Sequence, residues 1–104
     1  SKEASEALMA AMADEYWQVR LKATRGLGRL KIAEAIELIG PGLAEDQAPN
    51  LRKETAAALG EIASPAGRGY LEPYNDDSDP DVRKNVRWAL NRISASGAGV
   101  SGAS

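Results

Sequence analysis

The sequence has no cysteine, no histidine and no phenylalanine. Without cysteine there is no disulfide and no thiolate nucleophile or ligand. Without histidine the commonest general base and the commonest metal ligand are both missing. Two tryptophans and three tyrosines are the whole aromatic complement. The core must therefore be built from Leu, Ile, Val, Met and Ala, small side chains that suit closely packed helices. No apolar run reaches the roughly 18 residues that span a bilayer, no signal peptide is visible, and no glycine-rich phosphate loop is present. Neither sign of charge dominates: 13 Lys and Arg stand against 15 Asp and Glu, a net charge of −2. That balance counts against a general nucleic-acid binder. These absences argue against an enzyme and against a cofactor or metal site. Freedom from cysteine fits a reducing compartment, and a cytoplasmic location is expected.

What the sequence does have is a repeat. Asp14, Asp46 and Asp77 each stand six residues before an arginine, Arg20, Arg52 and Arg83, and Leu27, Leu59 and Leu90 keep the same intervals of 32 and 31 residues. A period of this length, with this agreement, marks a repeat architecture.

Each copy reads as a helix pair. Residues 2–13 are strong helix formers with an apolar stripe at Ala4, Ala7, Leu8, Ala11 and Met12, the spacing of one helix face. A second helix is expected over 17–31, burying Val19, Ala23, Gly26, Leu27 and Leu30. The next pair is 32–45 and 49–63, with a kink at Gly40-Pro41-Gly42, where proline removes a backbone donor. The last pair is 65–74 and 80–94. Ser64-Pro65, Ala48-Pro49 and Asp79-Pro80 are helix starts, with proline where its missing N–H is harmless. A small residue is wanted at Gly26, Ala58 and Ala89, where a neighbouring helix approaches. Gly28 and Gly60 read as fraying ends. Tyr70 aligns with Ile39 and is expected to fill core. The repeats are thus about 2–31, 32–63 and 64–94 within a domain of residues 1–94, and 95–104 reads as a flexible Gly/Ser/Ala-rich tail.

The Asp-x5-Arg element, the Val or Leu before the arginine, and the Ala/Gly-Leu-Gly/Asn-x-Ile/Leu ending resemble HEAT-like repeats, most closely the short repeats of the phycobilisome lyase family. The resemblance covers residues 14–93 and implies an all-α fold, an α-solenoid of three HEAT-like helix pairs whose second helices line a concave side. It also implies a ladder in which turn aspartates meet arginines between repeats, so that these charges are structural. Some HEAT-like enzymes hold iron with His-Glu pairs, which a chain without histidine cannot supply. Bilin lyases of the resembled family act as paired subunits, but no residue here identifies a bilin site.

Removing the buried stripe leaves a candidate binding face: Leu21, Lys22, Arg25 and Arg29 in the first copy, Lys53, Glu54, Ala57 and Glu61 in the second, Lys84, Asn85, Trp88 and Arg92 in the third. Trp88 is a large aromatic at a solvent-facing register, in line with Arg25 and Ala57. Tryptophan and arginine are enriched in binding hot spots. The partner site is therefore expected at Trp88, with Arg92, Lys84, Arg25, Lys22 and Arg29 around it, and the partner to be a protein. Nucleic-acid backbone binding through Lys22, Arg25, Arg29, Lys84, Arg87 and Arg92 is the alternative, weakened by Glu54 and Glu61 within the track. Asp76, Asp77, Asp79 and Asp81 lack the glycine and distal glutamate of a calcium loop and read as helix-capping acids. Three repeats are near the minimum for a stable solenoid, so a longer array or an end-to-end homodimer is also expected.

Overall fold

Three inner helices lie side by side and form one layer of the molecule: α2 (Trp17–Arg29), α4 (Pro49–Ile62) and α6 (Pro80–Ser101). Each is preceded by an outer element: α1 (Lys2–Ala11), then the segment carrying α3 (Ile36–Ile39), then the segment carrying α5 (Arg68–Leu71). The computed structural model describes residues 1–101, with side chains described through residue 97. The Cα envelope measures 45 × 36 × 16 Å. Its short dimension matches two helix layers, roughly 8–10 Å apart between axes. The six α-helices and their pairing follow the expected solenoid. Among the described residues no helix is long and apolar enough to cross a membrane.

Two expectations about helix extent need correction. The outer segments of repeats two and three are not continuous kinked helices. Each is a short α-helix between 3-10 turns, Ala33–Ala35 and Gly40–Leu43 around α3, Pro65–Gly67 and Glu72–Tyr74 around α5. Pro41 and Pro73 stand at the starts of the second turns. With no N–H to give to the carbonyl four residues back, proline ends the α-helical ladder and the chain tightens. The second correction concerns the C-terminal side. Helix α6 runs to Ser101 rather than ending near Ser94, because no proline interrupts the Ser/Ala/Gly stretch. The last three residues of the expected tail, 102–104, lie outside the described residues.

Helix starts behave as their residues dictate. Ser64 Oγ accepts from Ala66 N–H at 3.3 Å, and Asp79 Oδ1 accepts from the N–H groups of Asp81 and Val82 at 2.8 and 3.3 Å. Helices α2 and α4 stop at Lys31 and Ala63, the residues with positive φ, 55° and 56°, not at the glycines. Gly28 and Gly60 are instead buried packing positions. A Cβ on Gly28 would lie 2.8 Å from Ala58 Cβ and 2.9 Å from its Cα; one on Gly60 would lie 2.9 Å from Ala89 Cα and meet the Trp88 ring. The same contact thus recurs between α2 and α4 and between α4 and α6.

Gly26 differs, because its neighbours are the Leu8 methyls, the nearer at 2.9 Å from a built Cβ. A leucine tip can swing aside where a backbone cannot. Gly28→Ala should therefore destabilise by about 1–3 kcal/mol through overpacking. Gly26→Ala should be neutral or stabilising, up to the roughly 1 kcal/mol by which alanine exceeds glycine in helix propensity. Urea denaturation of the two variants checks this, and effects of the same sign would contradict it.

The core is one cluster running through all three repeats. Leu27 and Leu59 are fully buried, while Leu90 packs against the cluster only partly covered. Val19 and Leu30, expected in the buried stripe, are exposed. Their counterparts Leu51 and Ile62 are buried and half-buried. The difference is positional, since among the described residues no further helix pair packs over that edge of the first repeat. Tyr70 packs on the core as expected, lying across Gly40 where a side chain would collide with its ring.

The charge ladder exists in modified form. Each arginine ties back to the turn before its own helix: Arg20 Nη1 to Asp14 O at 2.8 Å, Arg52 Nε to Leu43 O at 2.8 Å, Arg83 Nη1 to Asp77 O at 2.7 Å. Arg52 also reaches forward to grip Asp77 through both terminal nitrogens, at 3.2 and 2.5 Å. Its guanidinium carbon lies 5.5 Å from the Tyr74 ring centroid. Arg20 reaches forward to the Gln47 amide at 3.3 Å instead, because Asp46 faces solvent. The hydrogen bond from Arg52 holds the Asp77 carboxyl below the usual carboxylate range, the Asp79 N–H adds to this, and burial opposes it.

Candidate functional site

Successive turns of an α-helix stack side chains at i and i+4 on one face. On α2 this aligns Trp17, Leu21 and Arg25 in one row and Gln18 with Lys22 in the next. On α4 it aligns Asn50 with Glu54 and Lys53 with Ala57. These two faces converge, with Asn85 of α6, on a trough of about 470 Å3. Its apolar surface comes from Trp17, Leu21 and Ala57, its neutral polar groups are the amides of Gln18, Asn50 and Asn85, and its charges are Lys22, Arg25, Lys53 and Glu54. Two smaller depressions, of about 250 and 230 Å3, lie along seams of the outer layer near Pro41.

The charges in the trough are not equally free. Arg25 is paired with Glu54, Nη2 to Oε1 at 2.8 Å and Nε to Oε1 at 3.0 Å. Lys53 meets the exposed Asp81 at 3.7 Å, a surface contact of little energetic weight. Lys22 is exposed, and its ammonium has no acidic partner among the described residues. Asn85 donates to Lys53 O at 3.1 Å, which leaves its own oxygen open.

The structure divides the six residues of the expected partner site. Lys22 and Arg25 line the trough. Trp88 and Arg92 form a separate pair, with the guanidinium carbon 5.2 Å from the ring centroid. Trp88 is 43% exposed, as its register requires, but its ring lies down over Gly60 at the seam of α4 and α6. Arg92 Nε donates to Gly60 O at 2.9 Å, and Lys31 Nζ donates to Glu61 O at 2.9 Å. Both cations thus satisfy carbonyls at the C-terminal end of α4, where positive charge is favoured. Lys84 and Arg29 are exposed and do not line the trough. Missing from the sequence-based site are Trp17, Gln18 and Asn50. Trp17 aligns with Pro49 and Pro80, so the repeat gives no hint that this first-turn position faces a shared trough.

The sequence model of the family described as HEAT repeats matches residues 5–95. Deoxyhypusine hydroxylase of Drosophila melanogaster is 30% identical over 91 residues, which are 86% of this chain and 30% of that protein. The structure of human deoxyhypusine hydroxylase in complex with glycerol superposes with a TM-score of 0.78 at 29% identity, over 88% of this chain and 32% of that one. The chain spans about a third of the length of these relatives.

Proposed function

The chain belongs to the HEAT repeat family, and from that premise we propose that it is a protein-interaction module or assembly adaptor, binding its partner along the inner helices at the trough beside Trp17. The observation that carries this is the trough itself: side chains from three consecutive inner helices converge on one concavity lined by both apolar and polar groups. Solenoids bind in this way because the repeats hold many side chains in a fixed array. Lys22 and Arg25 belong to this site, and the Trp88–Arg92 pair forms a flank beyond it.

Nucleic-acid backbone binding is less well supported. Arg87 of the proposed basic track donates to Asn75 O and Asp76, Arg92 to Gly60 O, and Arg25 to Glu54. Phosphates would have to displace these acceptors. Hydroxylation is not carried over from the relatives either: they exceed this chain about threefold in length, and the His-Glu iron pairs of HEAT-like enzymes need a histidine that this sequence lacks. The likeness to phycobilisome lyase repeats rests on the Asp-x5-Arg signature and brings no bilin site with it.

Ala57→Arg places a long cation in the trough lining and tests the proposal. Quantitative affinity capture from native extract should lose at least about tenfold of the captured protein, equivalent to roughly 1.4 kcal/mol, with the helical circular dichroism unchanged. Trp88→Ala should retain most of it. Unchanged capture by Ala57→Arg would contradict the assignment. Binding that collapses steeply with added salt and is removed by nuclease would favour nucleic acid.

A further inference from the structure

Resting on the proposed interaction site, we infer the chemistry of what it holds: an extended, acidic peptide segment, its main chain bound by side-chain amides and one apolar side chain seated on Trp17. Amides carry the first part of this inference. Gln18, Asn50 and Asn85 come from three different helices and meet in one concavity. Among the described residues the side-chain amides of Gln18 and Asn50 make no hydrogen bond, and Asn85 keeps its amide oxygen free after donating to Lys53 O. A primary amide presents a donor and an acceptor in one plane, the pattern of a peptide group. It matches neither a phosphate, which only accepts, nor an apolar groove ligand. Packed helices lie about 8–10 Å apart, and an extended chain advances about 3.3 Å per residue. Amides on neighbouring helices would therefore meet peptide groups about three residues apart.

Charge carries the second part. The trough presents three cations, Lys22, Arg25 and Lys53, against the single carboxylate of Glu54, on a chain whose net charge is −2. Glu54 already neutralises Arg25, and Lys53 keeps only a long, exposed contact to Asp81 at 3.7 Å, of little energetic weight. Lys22, unpaired among the described residues, therefore sets the local sign with Lys53 beside it. Carboxylates on either side of the seated side chain would complement them, and a basic segment would meet repulsion. The volume suits a few residues rather than a folded surface, falling within the roughly 300–1,000 Å3 of small-ligand clefts. Trp17, Leu21 and Ala57 give the apolar residue its seat.

The test is an array of immobilised peptides of about eight residues, each with one apolar residue flanked by acids and every apolar type sampled, probed with the labelled full chain. The best binder is then measured in solution against its lysine-substituted and centrally N-methylated versions and a single-stranded oligonucleotide of equal charge. The acidic peptide should bind at least about tenfold tighter than either altered version. Lys22→Glu and Asn50→Ala should each weaken it severalfold, with unchanged melting curves. Equal binding of the N-methylated peptide, or tighter binding of the oligonucleotide, overturns the inference. So does an array with no binder. If Ala57→Arg still abolishes protein capture in that case, the interaction site stands and only its ligand chemistry is wrong. If Ala57→Arg has no effect on capture, the site itself is wrong.

Discussion

Leu59→Ala is expected to lower the unfolding free energy by about 2–5 kcal/mol, the range for truncation of a buried leucine. Leu59 is 1% exposed and sits on α4, the helix that packs against both α2 and α6. Its side chain also faces the third outer segment, where a Cβ on Gly67 would lie 3.5 Å from Leu59 Cδ2. The cavity left by alanine would open at the junction of all three repeats, where no loop can collapse to fill it. A domain of this size has about 5–15 kcal/mol in total, so the loss is a large share of its stability. Urea denaturation monitored by circular dichroism checks it. An unchanged midpoint would mean that the leucine row does not define the core.

Asp77→Ala is expected to cost about 3–5 kcal/mol, the scale for removing one partner of a buried ion pair. The side chains of Arg52 and Asp77 are 7% and 4% exposed, so the stranded guanidinium would have little access to water. Asp77→Ala also unseats the Asp79 N–H, which donates to Asp77 Oδ1 at 2.9 Å. The aligned Asp46 faces solvent, and Asp46→Ala should stay within about 0.5 kcal/mol of wild type.

The pair also gives a pH signature. Because the folded state holds the Asp77 carboxyl below its ordinary value, the stabilisation is fully present above the unfolded value, about 3.9. It is lost as pH falls below that value and through the folded one. Asp77→Asn should remove this part of the acid dependence while keeping an acceptor for Arg52. Denaturation curves between neutral pH and about pH 3 read the effect directly. Parallel acid profiles for wild type and Asp77→Asn would contradict the assignment.

Much of the architecture is legible in the sequence because it is carried by periodic features. The Asp-x5-Arg interval locates the inner helices, and the prolines at 49 and 80 mark their starts. The arginines are structural, as a partly buried charge needs partners. Other features have no periodic signal. Gly28 and Gly60 lie near helix ends, where glycine ordinarily signals termination, and only the neighbouring helix shows that they are packing positions. The outer segments pass into 3-10 turns where Pro41 and Pro73 each remove a backbone donor at the end of a short helix.

The lining of the candidate trough is half legible in the sequence. Helical register correctly turns Trp88 outward and places Lys22, Arg25, Lys53, Glu54, Ala57 and Asn85 on one face. Register fixes only the direction of the Cα–Cβ bond. It does not show that the Trp88 ring folds back over Gly60 while Trp17 faces the trough. Trp17 aligns with the helix-starting prolines Pro49 and Pro80, so nothing in the repeat marks it as a binding position.

The chain has two tryptophans, Trp17 and Trp88, and so gives two indole N–H signals in a 1H–15N correlation spectrum. Assigning them with a single Trp88→Phe variant and titrating in the captured partner, or the best acidic peptide, tests the central claim most directly. The trough assignment predicts that the Trp17 signal shifts in proportion to occupancy while the Trp88 signal stays in place. A shift confined to Trp88 would contradict it and move the binding site to the seam of α4 and α6.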